Sequence, residues 1–288
     1  MGKLPENPVS YRYFGEELIR SEDLDPVYVF LFKSDMPLDM LKRWLLAYWC
    51  YYGSGTASRI AEQPSSRFYD MMWKAWREKW PHGFERRHFY GEQARKAIEG
   101  LQSFGSAEQV VDYMTCHKTF DEVRSAVMSF RGFGPWIAFK ISDMANRVLC
   151  YDIDFSGADL AMYADPCKGA AYLKYGDKHY PIKDEDMRLV VTNLIEEFED
   201  SLAPPSYERK VNVQEIETIL CKSKAYYFGQ YYLGKDTKEV GHALKSAKSD
   251  LAQQLYNLMP KEQESWAKPY SFIRDWSHHC VQGRCYGN

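Results

Sequence analysis

Apolar residues recur every three or four positions along most of the chain, the spacing that places them on one face of an α-helix. The clearest run extends from Leu38 to Tyr52 and ends at Gly53. The same spacing predicts helices over residues 68–76, 93–101, 184–200, 213–221 and 237–258. No two segments alternate in the manner of paired strands. The expected fold class is therefore all-α, with irregular insertions.

Capping and turn residues mark further boundaries. Thr119 followed by Glu122 is a capping box, which predicts that a helix begins at this point. Pro135 suits the first turn of another helix, which is expected to continue to about residue 149. Residues 163–181 are rich in turn residues and predict a loop.

Length and charge limit the organisation and the partners. The 288 residues are expected to form an N-terminal extension (1–23), a helical domain (24–236) and a C-terminal helix with a tail (237–288). The net charge of −3 excludes a protein that coats nucleic acid through overall positive charge, so DNA contacts would need local basic patches and backbone amides. Aromatic residues make up 16%, which fits a large core or, in part, a pocket for a flat ligand.

The sequence also predicts where the protein works. No apolar run approaches the ~18 residues of a membrane span, and the polar start lacks the apolar core of a secretory signal. The seven cysteines are scattered and odd in number, which suits a reducing compartment. We expect a cytoplasmic protein without membrane contact, in the bacterial host cytoplasm if the gene is viral.

A glycine-rich hairpin at residues 130–137 is the first candidate site. Its central residues are Arg131, Gly132, Phe133, Gly134, Pro135 and Trp136. Glycines allow a phosphate to approach the backbone, and the following helix N-terminus favours an anion. The segment predicts a DNA-binding turn with Phe133 facing inward, although an ordinary helix–helix turn has the same spacing.

The hairpin resembles that of the helix-hairpin-helix DNA glycosylase superfamily, in which an aspartate about twenty residues later faces the target base. Asp154 matches that spacing, and Asp152 and Asp159 are rivals. The lysine that forms a Schiff base in some members is replaced by Trp136, and no four cysteines cluster as iron–sulfur ligands. Both departures argue against lyase chemistry and against such a cluster.

A second unusual block occupies residues 81–91, where four polar residues stand between aromatic ones: Glu85, Arg86, Arg87 and His88. Arginine forks match phosphate oxygens, whereas a solvated, salt-bridged loop is the simpler interpretation. Together with residues 24–28, 43–50 and 211–222, this block resembles the amino acid:DNA transferases, or α-glutamyl/putrescinyl thymine pyrophosphorylases, of bacteriophages that hypermodify their DNA. The likeness covers roughly residues 24–236.

The resemblance implies a reaction. Such enzymes act on double-stranded DNA whose 5-hydroxymethyluracil has been converted to a pyrophosphate ester. They replace pyrophosphate with the amine of a free amino acid, for which glycine is the family-based expectation, or of a polyamine in relatives. No cofactor is predicted, and magnesium is only a candidate companion of the pyrophosphate. A base-excision glycosylase and a non-catalytic DNA-binding protein are the alternatives.

This chemistry assigns roles to residues. Base flipping needs a stacking pocket, for which Tyr48, Trp49 and Trp136 are candidates, although aromatic residues on helix faces more often belong to the core. Pyrophosphate departure needs cations, and Lys222 joins the arginine block for that role.

The attacking amine must lose a proton to a base. Asp154 is the first candidate, and Glu85 and Glu217 are the next. A plain contact between Glu217 and Cys221, four residues apart on one helix, is the alternative for that glutamate.

Overall fold

The structure is a computed structural model, and it describes residues 11–261. Its α-helices are α1 (Tyr11–Arg20), α2 (Pro26–Phe32), α3 (Leu38–Tyr51), α4 (Ser54–Ala61), α5 (Phe68–Arg77), α6 (Gly91–Phe104), α7 (Ala107–Thr115), α8 (Phe120–Met128), α9 (Pro135–Arg147), α10 (Ala164–Tyr175), α11 (Asp184–Glu197), α12 (Val213–Tyr227), α13 (Lys235–Ser246) and α14 (Asp250–Asn257). Within 11–261 no strand forms, and only two isolated bridges occur. The predicted all-α class is confirmed.

The chain folds into two compact units. Among the described residues, the first unit comprises 11–25, 158–237 and 260–261, and the second comprises 26–157 and 238–259. The predicted domain boundaries after residues 23 and 236 fall close to two of these divisions. The division after residue 157 was not predicted, and the last part of the predicted tail (262–288) lies outside the described residues.

Helix α3 is the centre of the second unit. Every residue from Leu41 to Tyr51 is buried, so this helix is covered on all sides rather than on one face. Most of its side chains are apolar, and the aromatic ones belong to the core. The buried cations Lys42 and Arg43 are paired with Asp112 and Glu108 of α7. Helices α4 and α7 pack against it.

Local signals explain several helix boundaries. The capping box predicted at Thr119 is present, with Glu122 bonded back to the Thr119 amide. Equivalent boxes begin α7 at Ser106 and α12 at Asn212. Among the described residues, no helix is long and apolar enough to cross a membrane.

Two predictions of secondary structure are wrong. Residues 163–181 were predicted as a loop, yet α10 forms there, because Pro166 falls in the first helical turn, where proline is tolerated, and Ala170 and Ala171 pack inward. The single helix predicted over 237–258 is two helices, α13 and α14, separated near Lys248, whose φ is 51°.

Candidate functional site

The hairpin between α8 and α9 is exposed, as the sequence predicts. Gly132 has φ +83°, in the left-handed region that favours glycine, and Gly134 is the N-cap of α9. A β-carbon at Gly134 would meet nothing within 4 Å, so open space adjoins the turn. Phe133 is buried and fixes the turn from beneath. The exposed backbone at a helix N-terminus suits the predicted DNA contact, and that role remains a prediction.

Arg86 joins the 81–91 loop to this hairpin. Its side chain is buried, Nε donates to the carbonyl of Cys50 at 3.2 Å, and Nη1 donates to the carbonyl of Gly132 at 2.9 Å. The guanidinium carbon lies 4.8 Å from the Phe89 ring and 5.1 Å from the Phe133 ring. Burial lowers the pKa of this guanidinium. Arg86 was predicted to bind pyrophosphate; its contacts instead make it a structural link.

The rest of the block faces solvent. Glu85, Arg87 and His88 are exposed. The Arg87 guanidinium lies 4.7 Å from the ring of Phe84, which is itself 76% exposed. These three residues therefore stay candidates for contact with substrate.

The start of the same loop is pinned to the end of α3. The amide of Gly83 donates to the carbonyl of Tyr51 at 2.9 Å, which occupies one of the last carbonyls of the helix. Thr56 donates from Oγ1 to the carbonyl of Pro81 at 2.5 Å. A β-carbon at Gly83 would lie 2.5 Å from the carbonyl oxygen of Tyr52, so only glycine fits here. These contacts hold the start of the loop against the end of α3.

A pocket that the sequence did not predict opens beside this loop. Its volume is about 760 Å³, and it is lined by Tyr51, Ala75, Trp76, Arg77, Lys79, Trp80, Pro81, His82, Phe89, Tyr90 and Gly91. Five of the eleven lining residues are Phe, Tyr or Trp, three are basic, and none is acidic. The crowded aromatic and basic residues of the segment were a usable signal, but which of them face one cavity depends on tertiary packing.

The predicted base pocket at Tyr48 and Trp49 is wrong. Trp49 is fully buried, and its indole N–H lies 3.3 Å from the sulfur of Met144. Tyr48 is buried in a stack between Trp44 and Tyr52, with centroid distances of 4.9 Å and 4.6 Å. Neither ring can stack on a nucleobase in this conformation, because Trp49 has no exposed surface and Tyr48 is stacked between two other rings.

The stack that contains Tyr48 reaches the hairpin. The ring of Tyr52 meets that of Trp136 edge to face at 5.1 Å, and Trp136 is partly exposed. Trp136 therefore rests on the aromatic stack of α3. Its predicted role in DNA binding stays open.

Asp154 is exposed but lies away from the hairpin. Its backbone pairs with residues 118–120, at the start of α8, whereas the hairpin follows the end of α8. The nine residues of α8 span roughly 13 Å, so Asp154 and the hairpin are separated by about that distance. Hydrogen bonds from the Ser156 amide and hydroxyl, both at 2.8 Å, lower the pKa of Asp154.

The two alternative aspartates differ in their surroundings. Asp152 is exposed, whereas the carboxylate of Asp159 is engaged in an ion pair with Arg188.

Lys222 and Glu217 belong to the first unit and have structural partners there. Lys222 is buried and donates to the carbonyl of Asp23 and to the carboxylate of Asp236 at 2.7 Å. Burial alone would lower its pKa, but the nearby carboxylates, first Asp236, outweigh that effect and raise it. Glu217 is buried and accepts hydrogen bonds from Thr218 and Cys221. Lys222 as a pyrophosphate ligand and Glu217 as the base are therefore corrected to structural roles.

The described residues include no ligand set for a metal ion. Within 11–261, no three His, Cys, Asp or Glu side chains are grouped so that they could hold an ion.

Comparison with known proteins identifies the family. The sequence profile of the amino acid:DNA transferases matches residues 17–232, about three quarters of the chain. The chain belongs to this family. It is therefore a transferase that acts on DNA, and the matched region contains the hairpin, the 81–91 loop and the pocket.

Two phage enzymes are similar to this chain over most of its length. The glycinyltransferase of Pseudomonas phage PaMx11 is 37% identical over 282 residues, which cover 88% of this chain and 97% of that protein. The putrescinyltransferase of Delftia phage PhiW-14 is 26% identical over 237 residues, 77% of this chain and 74% of that protein. The transferase is thus similar over most of its length to enzymes named for two different amine donors.

The hairpin of the transferase allows a direct test of DNA contact. Gly134→Ala should fold normally, because φ is −106° and the new methyl group meets no atom. The small changes in capping and in chain entropy should keep stability within about 1 kcal/mol of the wild type. The methyl group would occupy the approach to the turn and weaken DNA binding about tenfold, the scale of one charged hydrogen bond.

Gly100→Ala on α6 is the matched control, because its β-carbon also meets nothing within 4 Å. It should raise stability by up to about 1 kcal/mol and leave DNA affinity unchanged. Fluorescence anisotropy with a labelled duplex at several salt concentrations measures both variants. An unchanged affinity of Gly134→Ala would remove the hairpin from the DNA interface.

Proposed function

We propose that this transferase attaches glycine, through its amino group, to the methylene carbon of an activated 5-hydroxymethyluracil base in double-stranded DNA. The activating group is a pyrophosphate ester on the 5-hydroxymethyl oxygen. The observation that carries the proposal is the 37% identity to a glycinyltransferase along 97% of that protein. The lower identity to a putrescinyltransferase makes a polyamine the second donor to test.

The reaction balances without a redox partner. The glycine nitrogen forms a bond to the methylene carbon while the bond from that carbon to the ester oxygen breaks, and pyrophosphate leaves with the electron pair. The glycine ammonium must first give up a proton, so the site needs a base near the acceptor. The departing charge needs cations close by.

We assign the proton acceptor to Glu85 rather than to Asp154. One oxygen of the Glu85 carboxylate would lie 2.9 Å from a β-carbon at Gly83, so the carboxylate folds over that glycine. His82, three residues before Glu85, lines the pocket, and Arg86, the residue after Glu85, holds the hairpin. Asp154 has only its sequence spacing in its favour.

Mass analysis of nucleosides tests the proposed function. A duplex with one 5-pyrophosphoryloxymethyluracil is incubated with the protein and with single amino acids or putrescine, then digested to nucleosides. We expect the mass of a glycine adduct and one released pyrophosphate per adduct. An abasic site would indicate excision, and an unchanged duplex that stays bound would indicate a binding protein; either result contradicts the proposal.

Substitution of the two candidate proton acceptors, Glu85 and Asp154, should have opposite effects on the transfer rate. Glu85→Gln should lower the rate of transfer at least about 100-fold, the usual scale for loss of a general base, and leave duplex affinity nearly unchanged. Asp154→Asn should keep the rate within a few-fold of the wild type. Single-turnover kinetics with labelled glycine measure both rates. Loss of transfer in Asp154→Asn alone would restore the assignment made from the sequence.

A further inference from the structure

The pocket beside the 81–91 loop combines aromatic and basic side chains, so it favours a ligand that is both flat and anionic. Trp76, Trp80, Phe89 and Tyr90 contribute flat rings, and Tyr51 forms part of the floor. The volume of about 760 Å³ falls in the range typical of pockets for small ligands, ~300–1,000 Å³. Rings stack on flat aromatic ligands, including nucleobases.

The rings are held in place by the fold. The indole N–H of Trp76 donates to the carbonyl of Gly91 at 3.0 Å, and the hydroxyl of Tyr51 donates to the carbonyl of Met72 at 2.7 Å. Arg59 lies 3.5 Å from the centre of the Trp80 ring. Tyr90 differs, since its side chain is 64% exposed at the mouth. A fixed aromatic wall with one exposed ring suits a ligand that enters from solvent.

Three basic residues, Arg77, Lys79 and His82, line the same pocket and are exposed. Among residues 11–261, none of their side chains forms a hydrogen bond or an ion pair. The nearest acid in sequence, Glu78, already accepts the indole N–H of Trp80 at 2.8 Å. The pocket is therefore prepared for an anion as well as for a flat ring.

Lys79 has an uncommon backbone for its side chain. It follows the end of α5 at φ +52°, where its amide donates to Trp76 and the amide of Trp80 donates to Ala75. This is the helix-ending motif in which glycine is the usual residue. A lysine at this position gives up the conformational ease of glycine and supplies a cation to the pocket.

The pocket is also next to the hairpin. Phe89 lines the pocket, Phe133 lies under the hairpin, and the one guanidinium of Arg86 contacts both rings. A strand held at the hairpin would thus have a base pocket beside it, whereas Asp154 is about a helix length away.

We propose that this pocket receives the acceptor base outside the DNA helix, with the aromatic walls around the pyrimidine ring and the three basic side chains around its pyrophosphate. The proposal rests on the proposed function for the identity of the base. The pocket thereby becomes the part of the protein that distinguishes an activated base from thymine.

Two matched lysine variants test this assignment. Lys79→Gly removes the cation from the pocket at a position whose backbone suits glycine, so the protein should fold with an unchanged or slightly higher Tm. Lys248→Gly is the control, because Lys248 is an exposed lysine at φ +51° that does not line the pocket. Tyr90→Ala removes the most exposed ring of the pocket.

The probes are a duplex with one 5-pyrophosphoryloxymethyluracil, the same duplex with thymine, and inorganic pyrophosphate. Lys79→Gly should weaken binding of the activated duplex and of pyrophosphate about tenfold, as for one lost charged hydrogen bond, and leave binding of the thymine duplex unchanged. Tyr90→Ala should lower the same preference, and Lys248→Gly should change nothing.

The outcomes separate this proposal from the proposed function. Wild-type preference for the activated duplex that depends on Lys79, without glycine transfer, would support the pocket and reject the glycine reaction. Normal transfer together with a full preference in Lys79→Gly would reject the pocket and keep the reaction. If Lys79→Gly raised the KM for glycine and kept the full preference for the activated duplex, the amino acid would be placed in the pocket and the proposal overturned.

Discussion

Arg86→Ala should lose about 3 kcal/mol of stability and most of its DNA-transfer activity. The buried side chain ties the carbonyls of Cys50 and Gly132 together and fills the space between Phe89 and Phe133. Without it, two carbonyls lose a donor, and the hairpin is no longer held against the 81–91 loop. Thermal unfolding and the transfer assay measure the two losses.

The neighbouring arginine gives the control. Arg87→Ala should unfold like the wild type, because Arg87 is exposed and contacts only the exposed Phe84, through a long bond of 3.5 Å to its carbonyl and through its ring. Arg86→Lys should recover little of the loss, because a single ammonium nitrogen cannot reproduce the spacing of Nε and Nη1 or the planar packing between the rings of Phe89 and Phe133. If Arg86→Lys were as stable and as active as the wild type, charge alone would matter and the structural assignment would fail.

Asp23→Ala should have the largest effect on stability, at least about 4 kcal/mol. The carboxylate of Asp23 is fully buried and accepts four hydrogen bonds. The donors are the Tyr231 hydroxyl, the Gly234 amide at 2.7 Å, and the amide and hydroxyl of Thr237 at 3.0 Å and 2.7 Å. Truncation would leave all four donors buried without this acceptor, next to the buried ammonium of Lys222.

Urea unfolding compares Asp23→Ala with Asp39→Ala, an exposed aspartate in the first turn of α3. The control should lose at most about 1 kcal/mol, the usual worth of a carboxylate at a helix N-terminus. Asp23→Asn should still show more than half of this destabilisation, because the NH2 of the amide would face N–H and O–H groups that are themselves donors. Equal stability of the two alanine variants would contradict the role of Asp23 as the centre of this network.

Features that depend on neighbouring residues in the chain could be predicted from the sequence. The capping box at Thr119 and the turn at Gly132 follow from backbone chemistry over a few residues, and the structure places both as expected. The inward direction of Phe133 also follows from its place between two glycines of an exposed turn. Local patterns of this kind determine the hairpin before any packing is considered.

Features that depend on burial could not be predicted in the same way. Arg86 and Arg87 are adjacent and chemically identical, yet only Arg86 turns inward, towards a hairpin 46 residues further along the chain. The sequence pattern places Tyr48 and Trp49 on an apolar helix face that could border a pocket, but both rings are packed in the core. Lys222 reads as a free cation, although Asp23, 199 residues away, holds it. Each error comes from a contact between distant segments.

The pocket illustrates the same limit. Its lining residues all fall between residues 51 and 91, and their composition alone suggests a site. The sequence does not tell which rings of α5 face the loop, because Trp73 and Trp76 are separated by three residues and share one helix face. In the structure, Trp76 lines the cavity, whereas Trp73 does not and bonds to Gln102.

Photo-cross-linking tests most directly the central claim, that the acceptor base enters the pocket beside the hairpin. A duplex with 5-iodouracil at the acceptor position is irradiated with the full-length protein, and the linked peptide is identified by mass spectrometry. We expect the base to be attached to a peptide that carries Trp76, Trp80 or Tyr90. Attachment at residues 151–156, around Asp154, with none in 76–91, would contradict the account.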